Sequence, residues 1–241
     1  MLPYNETLIV LPTYNELQNI KKMLGALTNL SSNLNILVID DNSPDGTATA
    51  VKEFQHSNPN VHLFSRAGKL GIGSAYIMGF KWGLEKGFGY IFSMDSDFSH
   101  PVESVPAMLE AATKNEIAIG SRYVDGIRIS NWPLKRLLLS KFASFYVRTI
   151  TGLPLEDPTA GFNCFTRKAL SMINIDEIQA RGYNFMVEIK YRIWLKSGKL
   201  TEVPITFYER RKGASKMSGK IIFESVINVP KLRLKRIFGI I

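Results

Sequence analysis

"TLIVLPTYNE" (residues 7–16) and "NILVIDDNSPDGT" (residues 35–47) decide the reading of the fold. Each is a short, β-rich apolar run that stops at turn residues: Pro12 in the first, a Pro-Asp-Gly turn in the second. A helix-length stretch follows each. "VHLFSR", "YIFSMD" and "EIAIGSR" repeat the pattern, and helices are expected over Gly73–Lys86 and Val102–Thr113. Apolar strands alternating with helices predict an α/β fold, its mostly parallel central sheet covered by helices on both faces. In such sheets ligands gather at the carboxyl ends of the strands. The polar interruptions fall there: Pro12, Tyr14 and Glu16 after the first strand, Asp40 and Asp41 after the second, Asp95 and Asp97 after the fourth, Arg122 after the fifth. Residues remote in sequence therefore converge on one crevice. A dinucleotide-binding domain is disfavoured because the first turn lacks Gly-x-Gly-x-x-Gly. The glycines of "GKLGIGSAYIMG" (residues 68–79) follow the third strand and read as a tight turn and helix start.

With 241 residues, 45% hydrophobic and 21% charged, the chain is globular, without a fixed-period repeat, a low-complexity tail or a Gly/Ser linker. One domain over residues 1–241 is the simplest expectation. Cys164 stands alone and cannot form an internal disulfide, and the N-terminal residues lack the charged n-region and cleavage site of a signal peptide. A cytosolic compartment follows. No apolar run approaches the ~20 residues of a membrane-spanning helix.

The net charge of +9 is regional: Ile189–Ile241 holds 13 Lys/Arg against 3 Asp/Glu, whereas Met1–Gly126 holds 9 against 13. Such asymmetry points to a polyanionic partner, either nucleic acid or an anionic membrane face. "WPLKRLLLSKFASFYVRTI" (residues 132–150) sets Leu137, Leu138, Phe142, Phe145, Tyr146 and Ile150 among Lys135, Arg136, Lys141 and Arg148. A core-facing helix shares this periodicity, but the charge favours an interfacial one. "KIIFESVINVPKLRLKRIFGII" (residues 220–241) repeats the arrangement, with Pro230 expected to break or kink it. Segments near 132–152 and 217–241 are thus the expected membrane contacts of a peripheral protein.

In "YIFSMDSDFSHP" (residues 90–101) two carboxylates stand two residues apart where a strand ends. Oxygen-only ligands suit Mg²⁺ or Mn²⁺ better than Zn²⁺, and Mg²⁺ commonly completes its shell with substrate phosphates. His56, His62 and His100 are not spaced as metal ligands, and His100 reads as a turn residue before Pro101. Carboxylates in the crevice repel phosphates unless a cation intervenes, so a nucleic-acid-binding function leaves them unexplained.

"LPTYNE", "DDNSPDGT", "KLGIGSAY", "MDSDFSHP", "GSRY", "NWPLKRLLLS", "DPTAGFN", "GYNFMVE" and "EVPITFYERRKGASKMSG" look like the ordered blocks of the dolichol-phosphate (polyprenol-phosphate) mannose synthases, which the chain resembles from Leu8 to Gly219. These are family 2 glycosyltransferases with the nucleotide-sugar-binding, Rossmann-like GT-A fold. The resemblance implies transfer of mannose from GDP-mannose to a polyisoprenyl phosphate at the cytoplasmic face of a membrane, with a divalent cation as cofactor. It implies that Pro12, Tyr14, Glu16, Ile39 and Asp41 hold the guanosine with Asp40 adjacent, and that Asp95, Ser96 and Asp97 contact the sugar diphosphate, Asp97 as principal metal ligand. Where the family often has a glutamine ligand, this chain has Ser99, whose hydroxyl is shorter and weaker. Arg122, Arg136 and Ser140 match positions that grip the acceptor phosphate, and Arg210 and Lys216 match positions near the donor diphosphate. Asp157 in "LEDPTAG" reads as a turn brace. A small membrane-protein subunit is a further partner compatible with the resemblance. The competing readings are a sister lipid-phosphate glycosyltransferase with another donor such as UDP-glucose, and a basic nucleic-acid-binding protein.

Overall fold

The computed structural model describes residues 1–178, 184–209 and 219–241, with backbone alone for 219–225. The elements are β1 (Thr7–Thr13), α1 (Leu17–Leu30), β2 (Asn35–Asp40), α2 (Thr47–Gln55), β3 (Val61–Ser65), α3 (Ile72–Lys86), β4 (Tyr90–Ser93), α4 (Val105–Ala112) and β5 (Ile117–Ser121). They continue as β6 (Ile129–Ser130), α5 (Leu134–Thr151), β7 (Asn163–Thr166), α6 (Arg167–Ser171), α7 (Asn184–Leu195), β8 (Leu200–Pro204), β9 (Phe207–Tyr208) and α8 (Gly219–Ile237). Seven strands form one sheet in the order β3-β2-β1-β4-β7-β5-β8, and β6 pairs with β9 beside it.

The alternation of side chains along a strand explains why β1 and β2 read as continuous apolar runs. Leu8 and Val10 of β1, with Leu37 and Ile39 of β2, point into a core shared with Tyr76 and Phe80 of α3. Their neighbours Ile9, Leu11, Ile36 and Val38 point the other way, onto Ile20, Met23 and Leu24 of α1. Both faces are buried, as the alternating strand and helix pattern predicts.

Two glycines let α3 lie unusually close to the sheet. A Cβ at Gly83 would come within 2.6 Å of Ile91 Cδ1, and one at Gly79 would strike the methyls of Val10. The sheet is otherwise parallel, but β7 is inserted antiparallel between β4 and β5, with Cys164 opposite both Phe92 and Ala118. Burial pushes the Cys164 thiol well above its ordinary pKa, which makes it a core residue rather than a nucleophile.

Pro230 does not break the C-terminal helix: α8 runs through it. A proline has no N–H to offer the carbonyl four residues back. That carbonyl belongs to Val226, and the Tyr146 hydroxyl of α5 donates to it at 2.7 Å. The lost intrahelical bond is replaced by one between helices.

Candidate active site

Three of the turns at the carboxyl ends of the strands contain a residue with positive φ: Asn15 (59°) after β1, Asn42 (57°) after β2 and Phe98 (62°) after β4. Asparagine tolerates this region; a phenylalanine there is strained and must be held by its surroundings.

At the β1 and β2 ends, Pro12 lies opposite Ile39 in the parallel register. Asp40 is fully buried and accepts from Thr13 Oγ1 (2.9 Å), Ser43 Oγ (2.5 Å) and Ser43 N (2.8 Å), so it braces the "DDNSP" turn. Asp41 pairs with Arg66, whose Nη1 also donates to Ser74 (2.7 Å) and whose Nη2 donates to the Gly71 carbonyl (3.0 Å). The turn before α3 is thereby tied to the end of β2. Glu16 accepts from Asn19 Nδ2 (2.9 Å), and the Lys69 ammonium stands 4.3 Å from the centre of the Tyr14 ring.

After β4 the chain turns sharply. The Asp95 amide donates to His100 Nδ1 (2.9 Å), and the Tyr76 hydroxyl reaches Asp95 Oδ1 (3.4 Å). Asp97 is buried, and its Oδ1 accepts from both the amide (3.1 Å) and the hydroxyl (2.6 Å) of Ser99. Buried Ser96 lies between the two carboxylates. His100 is stacked on Phe162 and edge-on to Phe207, so its ring anchors the turn from behind. It is a turn residue, as the sequence suggests, but one built into the core.

The donor set here is entirely oxygen, which fits a hard divalent cation. No cluster of three or more His, Cys, Asp or Glu side chains able to hold a metal occurs among the described residues. The residues therefore fit a cation shared with ligand phosphates, not a self-contained protein cage.

A cavity of about 350 Å³ is lined by Asp95, His100, Arg122, Trp132, Arg136 and Ser140. The same cavity is also walled by Phe142, Tyr146 and Val147 of α5, Met186 and Val187 of α7, and Val226 and Val229 of α8. Arg122 forms a two-pronged pair with fully buried Asp157, Nε to Oδ2 at 2.6 Å and Nη2 to Oδ1 at 2.7 Å, and reaches Thr159 Oγ1 at 2.9 Å. Burial would raise the Asp157 pKa, but the charge and hydrogen bonds of Arg122 outweigh it and hold the carboxyl below its ordinary value. Asp157 is thus the brace its turn context predicts. Arg136 lies 4.0 Å from the centre of the Trp132 ring and pairs with Glu209 at 2.5 Å. Ser140 accepts from the Tyr123 hydroxyl at 2.8 Å, and burial raises the Tyr123 pKa.

The fold brings together Asp95, Arg122, Arg136 and Ser140 on one cavity and places Pro12, Tyr14, Glu16, Ile39 and Asp41 at the neighbouring strand ends. Arg210 and Lys216 lie outside the described residues. Arg66, Trp132, Thr159 and Phe207 are parts of the site that sequence reasoning missed. For Arg66 the available signal was its position directly after a strand. The aromatic residues look like ordinary core in one dimension.

On the outer side of α5, Leu134, Leu138, Phe142 and Phe145 are each more than 60% exposed, and Leu234, Ile237 and Phe238 are exposed at the C-terminal end. Such a run is more apolar than a freely solvated surface. No helix among the described residues is long and apolar enough to cross a membrane.

The description "Glycosyl transferase family 2" matches residues 8–174. An undecaprenyl-phosphate mannosyltransferase of Micrococcus luteus is 42% identical over 224 residues, covering 93% of this chain and 92% of its own. A polyprenol monophosphomannose synthase of Mycolicibacterium smegmatis is 39% identical, covering 99% and 92% respectively. Among solved structures, a glucosyl-3-phosphoglycerate synthase from Mycobacterium tuberculosis, in complex with Mn²⁺, UDP and glucosyl-3-phosphoglycerate, superposes with a TM-score of 0.65 at 15% identity, over 95% of this chain and 78% of that one. That likeness establishes the GT-A architecture. Nearly full-length identity near 40% does more, and the chain belongs to glycosyl transferase family 2, as a glycosyltransferase of the polyprenol-phosphate mannose synthase group.

Proposed function

We propose that the protein transfers mannose from GDP-mannose to the phosphate of a polyisoprenyl phosphate, with inversion, giving the β-linked lipid-phosphate mannose and GDP. The observation that carries this reading is the lining of one cavity, which combines Asp95, Arg122, Arg136 and Ser140 with apolar side chains of α5, α7 and α8. A phosphate with a long hydrocarbon chain matches both kinds of wall.

An acceptor phosphate monoester has a second pKa near ~6, so at neutral pH it is largely dianionic and attacks without a strong general base. Positioning is the harder task, because acceptor and donor are both anions. Arg122 and Arg136 are already immobilised, the first by Asp157 and the second by Trp132 and Glu209, and with Ser140 they form a preorganised receiver for the nucleophile. Pro12, Tyr14, Glu16, Ile39 and Asp41 hold the guanosine, Asp40 keeps their turn in shape, and Asp95, Ser96 and Asp97 face the sugar diphosphate. Asp97 and Asp95 would hold Mg²⁺ or Mn²⁺, which when bound neutralises the diphosphate and the departing GDP. Ser99 serves this centre by orienting Asp97. Arg210 and Lys216 add charge near the same diphosphate. Attack from the acceptor side, opposite the leaving group, inverts the donor's α-linkage.

Residues 1–241 act as one catalytic domain, docked on the cytoplasmic face of a membrane through segments 132–152 and 217–241, where a small membrane subunit could join it. Nucleic acid has no part in this reading.

The test incubates purified protein with radiolabelled GDP-mannose, polyprenyl phosphate and Mn²⁺, with and without EDTA, and follows label into the organic phase. Metal-dependent lipid labelling is expected. Labelling from UDP-glucose but not GDP-mannose would reassign the donor.

A further inference from the structure

Lys190 lies on α7 with no solvent exposure. Burial of its ammonium lowers the pKa from 10.5 to about 7, against the pull of Asp157 and Glu202 and with the push of Arg122. A buried ammonium is costly, and an apolar side chain of the same length would fill the space without that penalty. Its Nζ donates to the Ala160 carbonyl at 2.8 Å, which also accepts from Asn163 Nδ2 at 3.2 Å. Ala160 belongs to the turn after Asp157, and Thr159, Ala160 and Gly161 of that turn all line the cavity. Three charged side chains from separate elements clasp it. Arg122, just past β5, takes the Asp157 carboxylate; Glu202 of β8 accepts from the amides of Glu156 (2.7 Å) and Asp157 (2.8 Å); Lys190 of α7 takes the far end.

We propose that Lys190 is a positioning residue for the acceptor phosphate: by holding the Ala160 carbonyl it fixes the 157–161 turn, and through Asp157 and Thr159 it aims the Arg122 guanidinium into the cavity. This rests on the acceptor assignment of that cavity. A phosphate dianion arriving beside Arg122 favours the charged form of Lys190, so acceptor binding and protonation of Lys190 reinforce each other. Asp157, Glu202 and Arg122 are the charged groups that share in this balance.

The experiment compares wild type and Lys190→Met in steady-state kinetics across about pH 6.5 to 9, varying polyprenyl phosphate and GDP-mannose separately. Expected is a rise of about tenfold in acceptor KM at the acid end, the worth of one hydrogen bond from a charged donor, with donor KM unchanged. The gap between wild type and variant should narrow toward the alkaline end, where Lys190 is neutral and its N–H a weaker donor. Equal acceptor KM at all pH values, or donor and acceptor KM rising together, overturns the inference. Arg136→Ala serves as control. If it raises acceptor KM while Lys190→Met does not, the Lys190 role alone falls; if neither does, the acceptor assignment falls and takes this role with it. Should the methionine variant not fold, Lys190→Gln, which keeps an N–H donor, must show acceptor KM lacking the wild-type pH dependence, and a parallel profile counts against the role.

Discussion

Asp97 Oδ1 takes two hydrogen bonds from Ser99, which fixes the carboxylate before any ligand arrives. Asp97→Ala should therefore abolish lipid labelling while leaving the circular-dichroism melt nearly unchanged; near-normal labelling would remove Asp97 from the donor site. Arg136→Ala is expected to raise acceptor KM by roughly 10- to 150-fold and to leave donor KM alone, since a charged hydrogen-bonding group contributes roughly 1.5–3 kcal/mol. Lys190 gives a stability prediction of its own. Its folded pKa of about 7 lies below the unfolded 10.5, so between those values the folded state carries fewer protons and stability rises with pH, at up to about 1 kcal/mol per unit. Urea titrations near pH 7 and pH 9 should show a gain in wild type that Lys190→Met lacks. The strand-end carboxylates were legible in sequence because each one interrupts an apolar run. Lys190 was not, since in "VEIKYRIW" it reads as one more base in a basic region, and only the fold reveals Ala160 and Asp157 beside it.

Among the elements, the helices over 72–86 and 105–112 and the parallel strands preceding them follow from their apolar periodicity. The antiparallel β7 does not, because a strand buried on both faces looks the same whichever way it runs. α3 shows how closely packing is specified. Gly79→Ala must push a methyl into Val10, and overpacking of this kind costs about 1–3 kcal/mol, so a drop in Tm of several degrees is expected in a thermal melt. An unchanged Tm would mean that α3 withdraws from the sheet without penalty. On α5, Phe142→Glu places a charge in the middle of the exposed apolar run. Co-sedimentation with anionic vesicles should fall sharply, and unaltered binding would move the membrane contact elsewhere.

Over the whole molecule, the acidic first half holds the strand-end carboxylates together with Arg122, while the basic remainder supplies Arg136 and the C-terminal Lys231, Arg233, Lys235 and Arg236. Each base near an anionic surface contributes about 1 kcal/mol, so vesicle binding should weaken steeply with salt while retaining an apolar component. The division between halves was visible in the charge count; the meeting of the two at Asp95 needed the sheet. The proline inside α8 bears on the order in which this architecture assembles. An interior proline makes an isolated helix about 3 kcal/mol harder to form. The carbonyl it leaves without an amide at Val226 finds its hydroxyl only once α5 is in place. α8 is thus a dependent helix, expected to be nearly unstructured as a free peptide of residues 219–241, and the cavity wall made by Val226 and Val229 closes only on a domain that has already folded.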